Sequence, residues 1–262
     1  MTQEDITLLK DWFAGYCASF STPAAEDQRN ITIKRDHTHE VCRNALRIAR
    51  DLGLSEEETL LAEAVALLHD VGRFSQYRQY RTFDDSVSVN HAALGVKVLR
   101  ETNALQGLLA RDRDLIIHAV TLHNVFSLPE GLDAVTLLFA RLVRDADKLD
   151  IMRVVIEFFG QDKESRADAV ALGLPDALGY SPVVLACLAR REMAKKADLT
   201  TMNDFKLLQL AWLYDLNFTS SLRMVLERRY IDRLAGLLPD TDEIRQAVSL
   251  VRASVDERLQ EG

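Results

Sequence analysis

Apolar positions in this chain recur at three- and four-residue spacing almost from end to end, the period of amphipathic helices. No stretch keeps the two-residue alternation of a half-buried strand, so the pattern predicts an all-α protein. Punctuation places the helices. One spans about 37–52 and stops at Gly53, which suits a left-handed terminus. Ser55 followed by Glu58 reads as a capping box. It opens a helix that passes through the apolar run 60–68, delivers His69 and Asp70 at its C-terminal end and is closed by Gly72. A polar, aromatic and basic loop is expected from Arg73 to about Asn90. Helices then follow over about 91–102, 111–124 and, after a break at Pro129, 133–159. Beyond a stretch with several Gly and Pro residues at 160–181, further helices are expected near 182–196, 203–216 and 219–238, and from Asp240 onward.

Composition supports this reading. Of the 262 residues 48% are hydrophobic and 27% charged, ordinary values for a globular chain, and Gly (11) and Pro (5) are scarce. That length allows one large domain or two small ones. The expectation is a helical core over 1–160 with a helical extension over 161–262 packed on it as one compact unit. A net charge of -8 argues against stable binding to a nucleic-acid backbone, which needs a basic face. The longest apolar stretches, such as 182–189, fall far short of the roughly 20 residues of a membrane span. The first residues already carry Glu4 and Asp5 where a signal peptide would be basic and then apolar. Cys17, Cys42 and Cys187 form no CxxC, so inert thiols in a reducing compartment are expected. The expected location is cytoplasmic. The apolar C-terminal helices leave a homo-oligomer open.

The chemistry concentrates in histidine and aspartate. His69-Asp70 ends an otherwise apolar helix with an imidazole and a carboxylate, two groups that suit a borderline divalent metal. His37 shares a helix face with Val41, Asn44, Ile48 and Leu52, whereas His39 lies opposite with Arg43, Arg47 and Arg50. Helix geometry therefore selects His37 as the inward residue. His91 and His123 also sit near helix ends that flank apolar stretches. His118 lies about 140° around the helix from His123 and is the more structural of the two. In the run 145–150, periodicity leaves Asp145, Asp147 and Asp150 all open.

A helix-borne His, a His-Asp doublet ending a later helix and a distant helical Asp resemble the HD superfamily of metal-dependent phosphohydrolases. The elements here are His-Thr-His-Glu-Val at 37–41, Leu-Leu-His-Asp-Val-Gly-Arg at 67–73 and Asp-Ala-Asp-Lys-Leu-Asp at 145–150, and the similarity covers about 34–160. The resemblance implies an HD-domain helical bundle with extra C-terminal helices. It also implies a divalent cation (Mn, Fe, Co, Ni, Zn or Mg) on His37, His69, Asp70 and Asp147, with Asp145 and Asp150 orienting neighbours. His91 and His123 either hold a second ion, with Asp70 bridging, or face the substrate as donors or a general acid. Arg73, three residues past the doublet, and Lys148, beside Asp147, are candidates for neutralising phosphate charge. Tyr77, Tyr80 and Phe83, with Arg78 and Arg81, offer rings and forks for a nucleotide. The expected activity is hydrolysis of a small phosphorylated metabolite, a nucleotide monoester or diester foremost. The alternatives are a di-iron oxygenase and a non-catalytic metal-binding module.

Overall fold

Caps and apolar stripes coincide along most of the chain, and helix forms wherever they do. The computed structural model describes residues 1–162, 164 and 166–261, and no strand occurs among them. Two compact units emerge, Met1–Asp150 and Ile151–Gly262.

In the first unit the helices are α1 (Gln3–Ala18), α2 (Ala25–Asp51), α3 (Glu56–Leu68), α4 (Val71–Tyr80), α5 (His91–Glu101), α6 (Ala110–Leu122) and most of α7 (Ala134–Gly160). The capping box of Ser55 and Glu58 forms as expected. From Leu61 to Leu68 every residue of α3 is buried, because α1, α2 and α6 all pack against it. Apart from Glu63, which pairs with Lys10 at 2.7 Å, that stretch is apolar all round and suits such a central position. Aromatic rings on α1 and α4 interlock, with Phe13 edge-on to Phe74 at 6.0 Å. The Asn44 amide donates to the Ala146 carbonyl at 3.0 Å, which ties α2 to α7 at the level of the candidate site.

Several boundaries differ from the sequence reading. The helix that carries His37 begins at Ala25, so His37 lies in mid-helix. The segment before it has few apolar residues, and its packing includes a buried polar bond from Asn30 to the Tyr77 hydroxyl, which hydrophobic periodicity does not register. Leu52 is exposed, not part of the inward face. Gly72 does not close α3. The helix ends at Leu68, the joint is His69 and Asp70, and Gly72 lies inside α4. Its role is close approach: a Cβ there would stand 2.1 Å from the His91 carbonyl oxygen and 2.6 Å from the Gly95 amide nitrogen of α5. The expected loop after the doublet is helical as far as Tyr80, and only 81–90 is irregular, with one 3-10 turn at Asp85–Val87.

The second unit contains the end of α7 and α8 (Pro182–Ala189), α9 (Met202–Ala211), α10 (Thr219–Glu227), α11 (Tyr230–Ala235) and α12 (Asp242–Glu261). The expected helix over 219–238 is broken at Arg229, whose φ is 54°. The helix at 182 stops at Ala189, well short of 196. Every residue of α9 is buried, and Asn203, Asp204 and Lys206 are hydrogen-bonded there, with Asp204 accepting from the Ser181, Thr200 and Thr201 amides. All three cysteines are buried free thiols. No helix among the described residues is long and apolar enough to cross a membrane.

Candidate metal centre

Four elements of the first unit converge on Asp70. It occupies the position that caps α4, yet its carboxylate makes no capping bond. An aspartate at a helix start ordinarily accepts from the first free amides. Here the carboxylate turns instead to imidazoles brought in by α2, the start of α5 and the end of α6, with His69 beside it at the α3–α4 joint.

Its two oxygens face different pairs. Asp70 Oδ2 lies 3.6 Å from His37 Nε2 and 3.8 Å from His69 Nε2. Asp70 Oδ1 lies 3.3 Å from His91 Nε2 and 3.7 Å from His123 Nε2. Asp147 Oδ1, from α7, closes the first group at 3.1 Å from His37 Nε2 and 3.7 Å from His69 Nε2. His37, His69 and Asp70 form one set of donor atoms lying within 4.8 Å of one another, and Asp70, His91 and His123 form another. All five side chains are buried.

The other nitrogen of each ring is already committed. His69 Nδ1 donates to the Ala66 carbonyl at 2.7 Å and His123 Nδ1 to the Val120 carbonyl at 2.7 Å. Each of these is the carbonyl three residues earlier, at a helix end where carbonyls lack helical partners. His37 Nδ1 meets Asp150 Oδ2 at 2.7 Å and His91 Nδ1 meets Asp85 Oδ2 at 2.6 Å. With a hydrogen on every Nδ1, each Nε2 is left to face the centre. His37 Nε2 and His69 Nε2 are buried without a hydrogen-bond partner. His91 Nε2 and His123 Nε2 stand 2.9 Å apart. Two such nitrogens repel unless a proton or a cation lies between them. Imidazole nitrogens, ionised carboxylates and orphaned buried acceptors are the chemistry a divalent cation satisfies.

The charges agree. Burial raises the pKa of Asp70, but Lys34, His69, His123 and Arg73 outweigh it and hold the carboxyl well below its ordinary value. Asp147 is likewise held low, burial being overcome by His37 and His69. At His37, burial and Lys34 oppose the charged form, yet the Asp147 and Asp150 carboxylates prevail and raise the pKa from 6.5 to about 9. Burial and Arg73 push His91 down to about 3 despite Asp85, so its ring is neutral at neutral pH.

A pH dependence follows for the metal-free protein. The protonated His37 contributes stability in full below pH 6.5, and that contribution is lost as pH rises through about 9. A cation arriving at Nε2 displaces the same proton, so its apparent affinity is expected to climb between neutral pH and about 9 as one proton is released. Calorimetry in buffers of different ionisation heat measures this directly, and pH-independent affinity across that window contradicts it.

The remaining sequence candidates separate clearly. His39 is exposed and meets only the edge of Phe13 at 5.8 Å among ring contacts. His39→Ala is expected to leave metal content unchanged and to cost about 0.5–1 kcal/mol, the worth of an aromatic pair, whereas His37→Ala loses metal. Equal metal loss in both would reverse the choice of helix face. His118 is exposed and lines a cleft with Glu58, Asp112 and Asp133, apart from the histidine centre. Arg73 reaches the centre, with Nε 3.4 Å from Asp70 Oδ1, but its Nη1 is engaged by Gln76 and Asp85. Arg78 stacks on Phe20 and Arg81 pairs with Asp27, while Tyr77 and Phe83 are buried against each other. Tyr80, the remaining ring of that group, is exposed. Lys148 is buried one position from Asp147, about 100° around α7. Of the three open aspartates, Asp147 faces the histidines, Asp150 backs His37 and Asp145 is buried.

Two residues escaped the sequence reading. Asp85 fixes His91 and also accepts from Gln76, Arg73 and Asn124. No spacing rule marks a loop carboxylate that acts across a fold. Lys34 places its ammonium 2.8 Å from Asp70 Oδ2. It sits three residues before His37 on the same helix face, which was a legible signal.

An all-helical unit thus gathers four histidines around Asp70 in two groups that could hold a metal ion, with Asp147 beside the first. Residues 35–152 match the family model of the HD domain, so this part of the chain is an HD domain. That family consists in general of metal-dependent phosphohydrolases. Comparison with curated proteins and with solved structures gave no match.

Proposed function

We propose that the protein is a divalent-metal-dependent phosphohydrolase acting on a small phosphorylated metabolite, a nucleotide monoester or diester foremost. The observation that carries this reading is the turning of four Nε2 atoms towards the two oxygens of Asp70, with two of those nitrogens 2.9 Å apart. His37, His69, Asp70 and Asp147 hold one cation, and His91 and His123 with the other oxygen of Asp70 hold a second. The division of Asp70's oxygens between two histidine pairs supports the two-ion form.

When bound, such ions supply Lewis acidity to a phosphoryl oxygen and acidify a water for attack. The side chains do the rest. Asp150 and Asp85 hold His37 and His91 in the tautomer that leaves Nε2 available, and the Ala66 and Val120 carbonyls do the same for His69 and His123. The low pKa of His91 suits a neutral ligand and speaks against a general acid, which would have to carry a proton near neutral pH. Asp150→Asn removes the charge behind His37 while keeping an acceptor, and is expected to weaken metal binding by about 10-fold, the lower end for such supporting partners. Competition with a chelator of known affinity reads that change, and unaltered affinity would show that Asp150 serves packing alone.

The test is metal analysis of the purified protein followed by anaerobic assay against a panel of phosphorylated metabolites with Mn²⁺, Co²⁺ or Mg²⁺. Phosphate release without oxygen is the expected result. Iron content with strictly oxygen-dependent turnover and no phosphate release would replace this reading with an oxidase or oxygenase, because the same donors suit a pair of iron ions.

A further inference from the structure

We infer that Lys34 is the anion-binding residue of this site, taking a phosphoryl oxygen of the substrate beside the cation held at Asp70. The inference rests on the phosphohydrolase reading and adds a residue that the family match, which begins at residue 35, does not include.

Three observations carry it. First, Lys34 Nζ bonds to Asp70 Oδ2 at 2.8 Å, the same oxygen that faces His37 and His69. Its ammonium thus occupies the edge of the place a divalent cation would take. Second, no other hydrogen bond from that ammonium is described, and its remaining contact is the Phe83 ring at 5.1 Å. An ammonium has three donors, so it has donors left for an incoming ligand. Arg73 approaches the other oxygen of Asp70, Oδ1, and its Nη1 is tied to Gln76 and Asp85. Third, the Lys34 side chain is 15% exposed and Asp70 4%, so the lysine stands on the solvent side of a buried centre.

A cation bound at Asp70 Oδ2 would repel the ammonium and weaken its hold on that carboxylate. A phosphoryl oxygen between the two restores the charge balance, since it accepts from the ammonium and ligates the metal together. Lys34 therefore couples the two binding events. The phosphate raises affinity for the metal, and the metal by the same factor raises affinity for phosphate.

Calorimetry with Mn²⁺ and inorganic phosphate tests this on the wild type, Lys34→Met and Lys34→Arg. Lys34→Met is expected to bind Mn²⁺ alone at least as tightly as wild type, because a repelling charge is gone. Its Mn²⁺-loaded form is expected to bind phosphate at least ten-fold more weakly, and Lys34→Arg to recover most of that loss. In turnover the same variant raises KM more than it lowers kcat. Mn²⁺ binding with unchanged phosphate affinity in Lys34→Met overturns the inference and leaves the metal site standing. Weakened Mn²⁺ binding in Lys34→Met also overturns it, since Lys34 would then be building the site. Failure of the wild type to bind Mn²⁺ removes the phosphohydrolase reading and this inference with it.

Discussion

Asp70→Ala is expected to abolish metal binding altogether and to lower phosphohydrolase activity by more than about 100-fold, beyond the 10–100-fold typical of residues that only support a ligand. The size of the effect comes from the sharing of one carboxylate. Oδ2 serves the His37 and His69 pair, and Oδ1 serves the His91 and His123 pair. Removing either histidine pair would spare the other, whereas removing Asp70 strips an oxygen from both. It also leaves Lys34 without its hydrogen-bond partner, adding an uncompensated cation to a buried centre. Metal analysis and phosphate release measured on the same sample check this. Normal metal content and full activity in Asp70→Ala would remove Asp70 from the site.

The second large effect is on the fold. Gly72→Ala is expected to destabilise the protein by about 3 kcal/mol or more, at the upper end of overpacking costs. Glycine in a helix interior is normally a weakness, and alanine gains roughly 0.5–1 kcal/mol there. At Gly72 that gain is overwhelmed, because the new Cβ would overlap the backbone of α5 at His91 and Gly95, and backbone cannot rotate aside. Gly15, in α1, provides the comparison: nothing lies within 4 Å of its added Cβ, so Gly15→Ala is expected to stabilise. Denaturant unfolding of the two variants gives opposite signs if the close approach of α4 to α5 is real. Because α5 begins at His91, the loosening in Gly72→Ala is also expected to weaken metal binding, with no ligand replaced.

The contrast between these two residues marks how far the sequence is legible. His37, His69, Asp70 and the inward preference over His39 were readable because they rest on helical period and on an imidazole–carboxylate doublet at a helix end. His91 and His123 were readable as a pair of helix-end histidines, although only the structure brings their Nε2 atoms together. Gly72 was misread as a helix stop, since a glycine required for close packing looks in sequence like one required for a turn. The extent of α2 before His37 was missed because its burial uses Asn30 and other polar contacts, which carry no hydrophobic period. Arg78, Arg81, Tyr77 and Phe83 had the composition of a nucleotide platform, and composition could not show that Arg78 lies over Phe20, Arg81 pairs with Asp27 and Tyr77 packs on Phe83. Asp85 was invisible because its importance lies in contacts to His91, Arg73 and Asn124 that no local pattern encodes.

All of this turns on whether the four Nε2 atoms face cations. An anomalous difference map from crystals grown with Mn²⁺ measures that most directly. Two peaks per chain are expected, one among His37, His69, Asp147 and Oδ2 of Asp70, the other among His91, His123 and Oδ1 of Asp70. No peak at Asp70, with Mn²⁺ bound elsewhere or not at all, would contradict it.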